Sequence, residues 1–334
     1  MAADYSKRVP VGEYEDIEGV KVKTLPRIRH KLTKGYFYKT DADIIHSESC
    51  PVETFLAFHH NRNTPKLITV QDLRTYNERH SLFFEGGETY SIEWSLPSAS
   101  MLPMYWLTWF MAKQNIHNAN LVACQAHLLE PKVNEIFGYN RKMGFLPNFI
   151  DIPNKLYKKF DKPSVVWLGR LDHVKHPELM FALAKCMPHV DFYVLGHSHF
   201  PDRQRWYEKH YGNGQLTNVH LLGHVEGKAK AEVLSKCWVL LNTSFYECLP
   251  ISFLEALANH CALLSTRNPD YYTERFGYFD SSNSVEGLKV GLEYLLRDDL
   301  WRVKAQNGFD FVKTFHSTEI GVQNHLEIYR RLVE

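Results

Sequence analysis

Between residues 164 and 266 the chain repeats one device. A short apolar run stops at a glycine or a polar residue, and a helical pattern follows. Ser164-Val165-Val166-Trp167-Leu168 ends at Gly169, residues 190–195 end at Gly196, and Val219-His220-Leu221-Leu222 ends at Gly223. Residues 238–242 and 262–266 complete the series. Runs this short and this apolar suit strands buried on both faces, which means a parallel sheet between two layers of helices. Pro177 stands where a first helical residue belongs, with the helix running to about Cys186. Further helices are expected over 228–237 and 251–258. Open sheets of this kind bind ligands outside the carboxyl ends of their strands. The loops after Leu168, Leu222 and Asn242 are therefore the places to look for chemistry.

The first half carries a weaker version of the same pattern. Residues 43–46, 67–70 and 121–124 read as short strands, and residues 128–137 as a helix. Pro147-Asn148 is a turn signal, and residues 151–163 are polar, lysine-rich and hold two prolines. With 334 residues, two domains are expected. They are 1–150 and 164–317, joined by a linker over 151–163, with a last helix over 318–334. The most apolar stretch, 101–112, is shorter than the roughly 20 residues that span a bilayer. A buried helix is the expectation there, and its tryptophans leave a membrane-contacting face as the alternative. A net charge of +1 gives no reason to expect nucleic acid. The six cysteines form no C-x-x-C pair and the first residues hold no apolar leader, so a cytoplasmic chain with reduced thiols is expected.

Two segments could carry chemistry. In Gly169-Arg170-Leu171-Asp172-His173-Val174-Lys175, two cations follow a strand end and precede a helix start. Free N–H groups, a guanidinium fork and an ammonium make a suitable diphosphate site. Both cations could equally be solvated surface groups. In the second segment, Glu247 and Glu255 are separated by seven residues. Glu255 could accept two hydrogen bonds from a ribose diol, and Glu247 could meet a sugar hydroxyl. Two surface glutamates are the plainer reading. Glu255 is embedded among Phe253, Leu254, Ala256 and Leu257, where a buried acid needs a partner.

These segments, with Gly223-His224-Val225 between them, resemble the retaining family 4 glycosyltransferases of the GT-B fold. Many of that family read G-R-x-x-x-x-K, then G-x-V, then S/T-x-x-E-G-L-P-x-x-x-x-E-A. The chain has Ser244-Phe245-Tyr246-Glu247-Cys248-Leu249-Pro250, followed by Glu255-Ala256. Leu146-Pro147-Asn148-Phe149-Ile150-Asp151 resembles the family's domain junction. The resemblance implies two Rossmann-like domains facing across a cleft, and a sugar moved from a nucleoside-diphosphate sugar to an acceptor hydroxyl with retention of configuration. Arg170 and Lys175 would hold the diphosphate and stabilise it as it leaves. Glu247 would contact the transferred sugar, completing the catalytic set. Glu255 would bind the ribose and His224-Val225 would border the base. Gly169, Cys248 and Leu249 would complete the donor site. The leaving phosphate would take the acceptor proton. Neither metal nor cofactor is implied, and the acceptor would be a carbohydrate, lipid-linked or protein-linked hydroxyl, with peripheral membrane contact open.

The chain also departs from the family. Residues 14–26 resemble a strand normally well inside the first domain, so that domain is expected to be shortened or truncated, lacking its first strand, glycine-rich loop and long helix. Gln71 stands after the 67–70 strand where many members have histidine, and Asp72 and Arg74 follow as cleft candidates. Cys248 and His260 each replace a common glycine. A non-catalytic sugar-nucleotide-binding protein is the alternative these departures favour. Asp41-Ala42-Asp43 has the D-x-D form that binds Mn²⁺ in another glycosyltransferase fold, but it lacks supporting context.

Overall fold

The computed structural model describes residues 14–17, 19–23, 38–48, 51–73, 102–198, 200–212 and 214–334. Near the amino terminus, β1 (Tyr14–Ile17) and β2 (Val20–Lys23) pair as an antiparallel hairpin rather than forming a single strand. The chain reverses at Gly19, whose φ of 81° suits a residue without Cβ and whose N–H donates to Asp16 Oδ1 at 2.9 Å.

The next elements are β3 (Ile45–Ser47), α1 (Pro51–His60), β4 (Lys66–Val70), α2 (Leu102–Asn118), β5 (Leu121–Cys124), α3 (Leu129–Phe137) and β6 (Gly144–Phe145). They build a parallel sheet in the order β3-β4-β5-β6. The first strand starts two residues later than the sequence suggests, because Asp43 stays exposed. The apolar stretch 101–112 falls largely in α2, but the expectation of a buried helix is corrected. Trp106 is 64% exposed, and Leu107, Trp109 and Phe110 are exposed as well. Burial begins further along, at Met111, Asn115 and Ile116.

The second sheet is larger. Its elements are β7 (Ser164–Leu168), α4 (Pro177–Cys186), β8 (Asp191–Leu195), α5 (Pro201–Tyr211), β9 (Val219–Gly223), α6 (Gly227–Lys236), β10 (Val239–Asn242), α7 (Ile251–Ala258), β11 (Ala262–Ser265), α8 (Tyr272–Phe276), β12 (Gly277–Phe279) and α9 (Val285–Leu296). All six strands are parallel, in the order β12-β11-β10-β7-β8-β9. Helices α10 (Leu300–Phe315) and α11 (Thr318–Val333) end the chain.

Alternation along these strands makes two cores. Val165, Trp167, Val239, Leu241 and Leu264 pack with Phe181 of α4 and Leu292 of α9. Val166, Leu240 and Leu263 point the other way, onto Leu254 and Leu257 of α7. That second core runs on without a break into Ile68 and Val122 of the smaller sheet and Val133 of α3. A third cluster, Leu67, Ala123 and Leu146, is covered by Ile328, Tyr329 and Leu332, so α11 lies against the four-stranded sheet. There the Tyr329 hydroxyl and His46 Nδ1 are 2.8 Å apart. Residues 151–163 lie along the larger unit, where Phe160 N–H donates to Lys236 O and its carbonyl accepts from Trp238 Nε1.

Candidate functional site

Three adjacent strands of the larger sheet end on glycine, at Gly169, Gly196 and Gly223. Gly169 N–H donates to Leu195 O at 3.1 Å and Gly196 N–H to Gly223 O at 2.7 Å. A Cβ on Gly196 would stand 1.7 Å from the Gly169 carbonyl oxygen, so no side chain fits. The carboxyl edge is thereby a floor of bare backbone, ringed by the loops that follow β7, β9 and β10.

The loop after β7 turns on Asp172. Its Oδ1 accepts Lys175 N–H at 3.3 Å, capping a single 3₁₀ turn over His173–Lys175, while Oδ2 pairs with Arg170 Nη2 at 2.9 Å. Behind the turn, Trp167 Nε1 donates to Thr243 Oγ1, which donates in turn to the Lys175 carbonyl at 2.8 Å. Lys175 is thus fixed through its backbone to the strand it follows and to the loop after β10.

The Lys175 ammonium sits 2.6 Å from Glu247 Oε1. The same oxygen accepts from Asn242 Nδ2 at 3.0 Å and from Ser244 Oγ at 2.6 Å. With its side chain only 9% exposed, a carboxylate needs such support. Glu247 Oε2 takes no bond from the described residues, and it is not among the buried polar atoms that lack a partner, so it is reached from outside.

A cavity of about 310 Å³ opens at this point. Arg170, Lys175, Glu247, Cys248 and Leu249 line one side, and Gln71, Asp72 and Gln125 of the smaller unit line the other. Gln71 Nε2 donates to Glu48 Oε2 at 2.7 Å. Arg74 lies outside the described residues. Two contacts tie the sides together. Tyr246 O–H donates to the Leu73 carbonyl at 2.7 Å, and Asn148 Nδ2 donates to the Leu249 carbonyl at 3.2 Å while its Oδ1 accepts from Gln125. Cys248, in the place of a glycine, turns its thiol toward Tyr246 OH at 3.1 Å, and burial pushes that thiol up from its ordinary pKa.

Gly169, His224, Val225 and Glu255 do not line this cavity. Gly169 lies under the Lys175 stem. His224 is exposed and pairs with Glu226 at 2.8 Å, and Val225 packs against the core. Glu255 is one helical turn along α7 from Ile251, which does line the cavity, and it is paired with Lys230 at 2.5 Å. Motif spacing does not mark Asn242, Ser244 or Lys230, which hold the Glu247 and Glu255 carboxylates. The available signal for Asn242 was a polar residue ending an otherwise apolar strand. Asp41 and Asp43 are exposed before β3, and among the described residues no group of three His, Cys, Asp or Glu could hold a metal. Among the same residues, no helix is long and apolar enough to cross a membrane.

Residues 148–308 match the family described as glycosyl transferases group 1. No curated protein matches the chain by sequence. Among solved structures, a sucrose-phosphate synthase from Thermosynechococcus elongatus is 17% identical, with a TM-score of 0.71 over 95% of this chain and 84% of that one. HepE from Anabaena, solved with UDP-glucose, is 16% identical, with a TM-score of 0.64 over 86% and 78%. A glycosyltransferase from Rickettsia africae is 15% identical, with a TM-score of 0.63 over 92% and 80%. The architecture shared with these structures is GT-B.

Proposed function

We propose, on the premise that residues 148–308 form a group 1 glycosyltransferase domain in a GT-B fold, that this chain moves a sugar from a nucleoside-diphosphate sugar to an acceptor hydroxyl, with retention of configuration. The observation that carries the reading is the meeting of Arg170, Lys175 and Glu247 at one cavity, in the loops that follow β7 and β10. As the glycosidic bond breaks, negative charge grows on the departing diphosphate. Two cations held in place beforehand stabilise that charge without having to reorganise. Glu247 Oε1 is saturated by three donors and Oε2 is open, so the carboxylate can accept from a sugar hydroxyl without giving up its own support. The acceptor hydroxyl enters from the side of Gln71 and Asp72, and its proton passes to the leaving phosphate. Neither metal nor cofactor takes part. The HepE complexes with UDP-glucose and UDP support a nucleoside diphosphate as the leaving group.

A panel of nucleotide sugars tests the reading. One donor is expected to raise the melting temperature by mass action, and the same donor should then be hydrolysed or transferred with its anomeric configuration kept, as NMR would report. Stabilisation without turnover on any acceptor would leave a sugar-nucleotide-binding protein instead. A lipid-linked acceptor at a membrane surface is a second reading, supported by the exposed Trp106 and Trp109 of α2, with Lys113 Nζ 5.4 Å from the Trp109 ring. Sedimentation with anionic vesicles, lost in Trp106→Ala/Trp109→Ala, is the expected result.

A further inference from the structure

The two glutamates of the α7 region are built alike. Each has Oε1 bound by a lysine ammonium, and Oε2 takes no hydrogen bond from the described residues. At Glu247 the lysine is Lys175, and at Glu255 it is Lys230, on α6. The supports differ in number, since among the described residues Glu247 Oε1 has three donors and Glu255 Oε1 has Lys230 alone. The Glu255 side chain is 14% exposed and that of Lys230 is 28% exposed, so the pair is not a solvent-screened surface contact. Its neighbours Leu254, Ala256 and Leu257 are fully buried, and a lone carboxylate among them would be costly.

We propose that Lys230 is a positioning residue for the ribose of the bound nucleotide, acting through Glu255. The proposal rests on the sugar-nucleotide reading above. Glu255 lies roughly 6 Å along α7 from Ile251 at the cavity rim, the rise of four helical residues. Glu255 is thus one helical turn from the cavity rim, and in the proposed arrangement the nucleoside follows the diphosphate to it. Gly223 and Gly227, at φ of 69° and 55°, turn the chain after β9 so that α6 begins at Gly227 and its first turn brings Lys230 to α7. One helical turn on from Lys230, Leu234 is buried, which puts both on the inward face of α6.

The pair is suited to a vicinal diol. A hydroxyl both donates and accepts, a carboxylate only accepts, and an ammonium only donates. One ribose hydroxyl can donate to the open Glu255 Oε2 while its oxygen accepts from Lys230. The second hydroxyl can donate to a remaining lone pair of the carboxylate. Without Lys230 the carboxylate would lose the one side-chain partner it has among the described residues and be free to change rotamer. The site would keep its grip on the phosphates and lose its grip on the sugar of the nucleoside. Lys230 touches no reacting atom in this arrangement.

Calorimetry separates these effects. UDP, GDP and ADP are titrated into the full chain, and the tightest is carried forward beside its 2′,3′-dideoxy analogue and inorganic pyrophosphate. Lys230→Met is expected to weaken the ribonucleotide about tenfold or more, to near the level of the dideoxy analogue, which is the scale of one lost charge-assisted contact. Pyrophosphate and the dideoxy analogue should stay within about twofold of wild type. Lys230→Arg should recover most of the loss, and in turnover the change should fall on donor KM with kcat kept. A thermal melt checks that Lys230→Met folds, and Lys230→Gln serves if it does not. Equal binding of ribo and dideoxy forms by the wild type, or a Lys230 variant that keeps full ribonucleotide affinity or loses pyrophosphate in equal measure, would overturn the assignment. A wild-type chain that binds none of the three nucleotides would overturn the parent reading and this one with it. Ribonucleotide binding that ignores position 230 sinks this one alone.

Discussion

The two sheets meet the cavity in different ways. The six-stranded sheet presents a short turn capped by Asp172, a lysine held through its backbone, and a carboxylate with three donors on one oxygen. The four-stranded sheet presents Gln71, Asp72 and Gln125 from loops after its strands, and Gln71 is tied only to Glu48 among the described contacts of its side chain. Such a contrast suits a molecule that grips one ligand rigidly and leaves the facing surface free to differ. Pre-organisation is concentrated where charge is proposed to develop.

The largest expected effect probes that contrast directly. Lys175→Ala should lower the transfer rate by roughly 10²- to 10³-fold, the usual loss when one fixed donor to a developing anion is removed. Gln71→Ala should cost less than about tenfold, because a neutral hydrogen bond is the most it can withdraw. Initial rates with a saturating donor compare the two, and a heavier loss at Gln71 would reverse the comparison. A middling effect concerns the seam between the sheets. Asp270 accepts the N–H groups of His127 and Leu128 at the start of α3, at 2.8 and 2.9 Å, from a backbone with φ of 46°. Asp270→Gly keeps that φ accessible and removes the cap, so about 1–2 kcal/mol of stability should go, seen as a melting point lower by roughly 2–4 °C.

The shallowest effect is spread over pH. His46, His176, His260 and His316 are each held below the ordinary imidazole pKa of 6.5, first by burial. The unfolded chain therefore takes up protons as pH falls below 6.5 while the folded chain does not. Stability should be full above 6.5 and decline as pH drops through the depressed folded values, which a series of melts records. Two of these histidines lie at the junction of the halves. His316 is bonded to the Asn148 carbonyl and to Tyr272, and His46 to Tyr329 of α11. A flat profile below 6.5 would contradict their burial as neutral rings.

Much of the larger sheet could be read from the chain because its central strands are apolar on both faces and three of its strands end at glycines. α7 was placed at its observed limits, since Pro250 and Asn259 bracket an apolar octet. Helix α5 escaped, because Tyr207 is its one buried residue and no apolar period announces it. Helix α2 departs in the opposite sense, as its apolar Trp106, Leu107, Trp109 and Phe110 are exposed. In the site, motif spacing pointed to Arg170, Lys175 and Glu247, which share a cavity, but gave no hint of what holds them. The Asn242 amide and Ser244 hydroxyl look like an ordinary strand end until the chain folds back on Glu247. Lys230 is 25 residues from its partner on a mostly polar helix, and a linear pattern cannot distinguish it from any solvated lysine.

Gly196 limits what could be redesigned. β7 and β8 lie so close at their ends that the 1.7 Å between an added methyl carbon and the Gly169 oxygen forbids every other amino acid there. A saturation library selected for any new donor would return glycine alone at this position. A change of specificity would have to be written in the loop side chains around that floor.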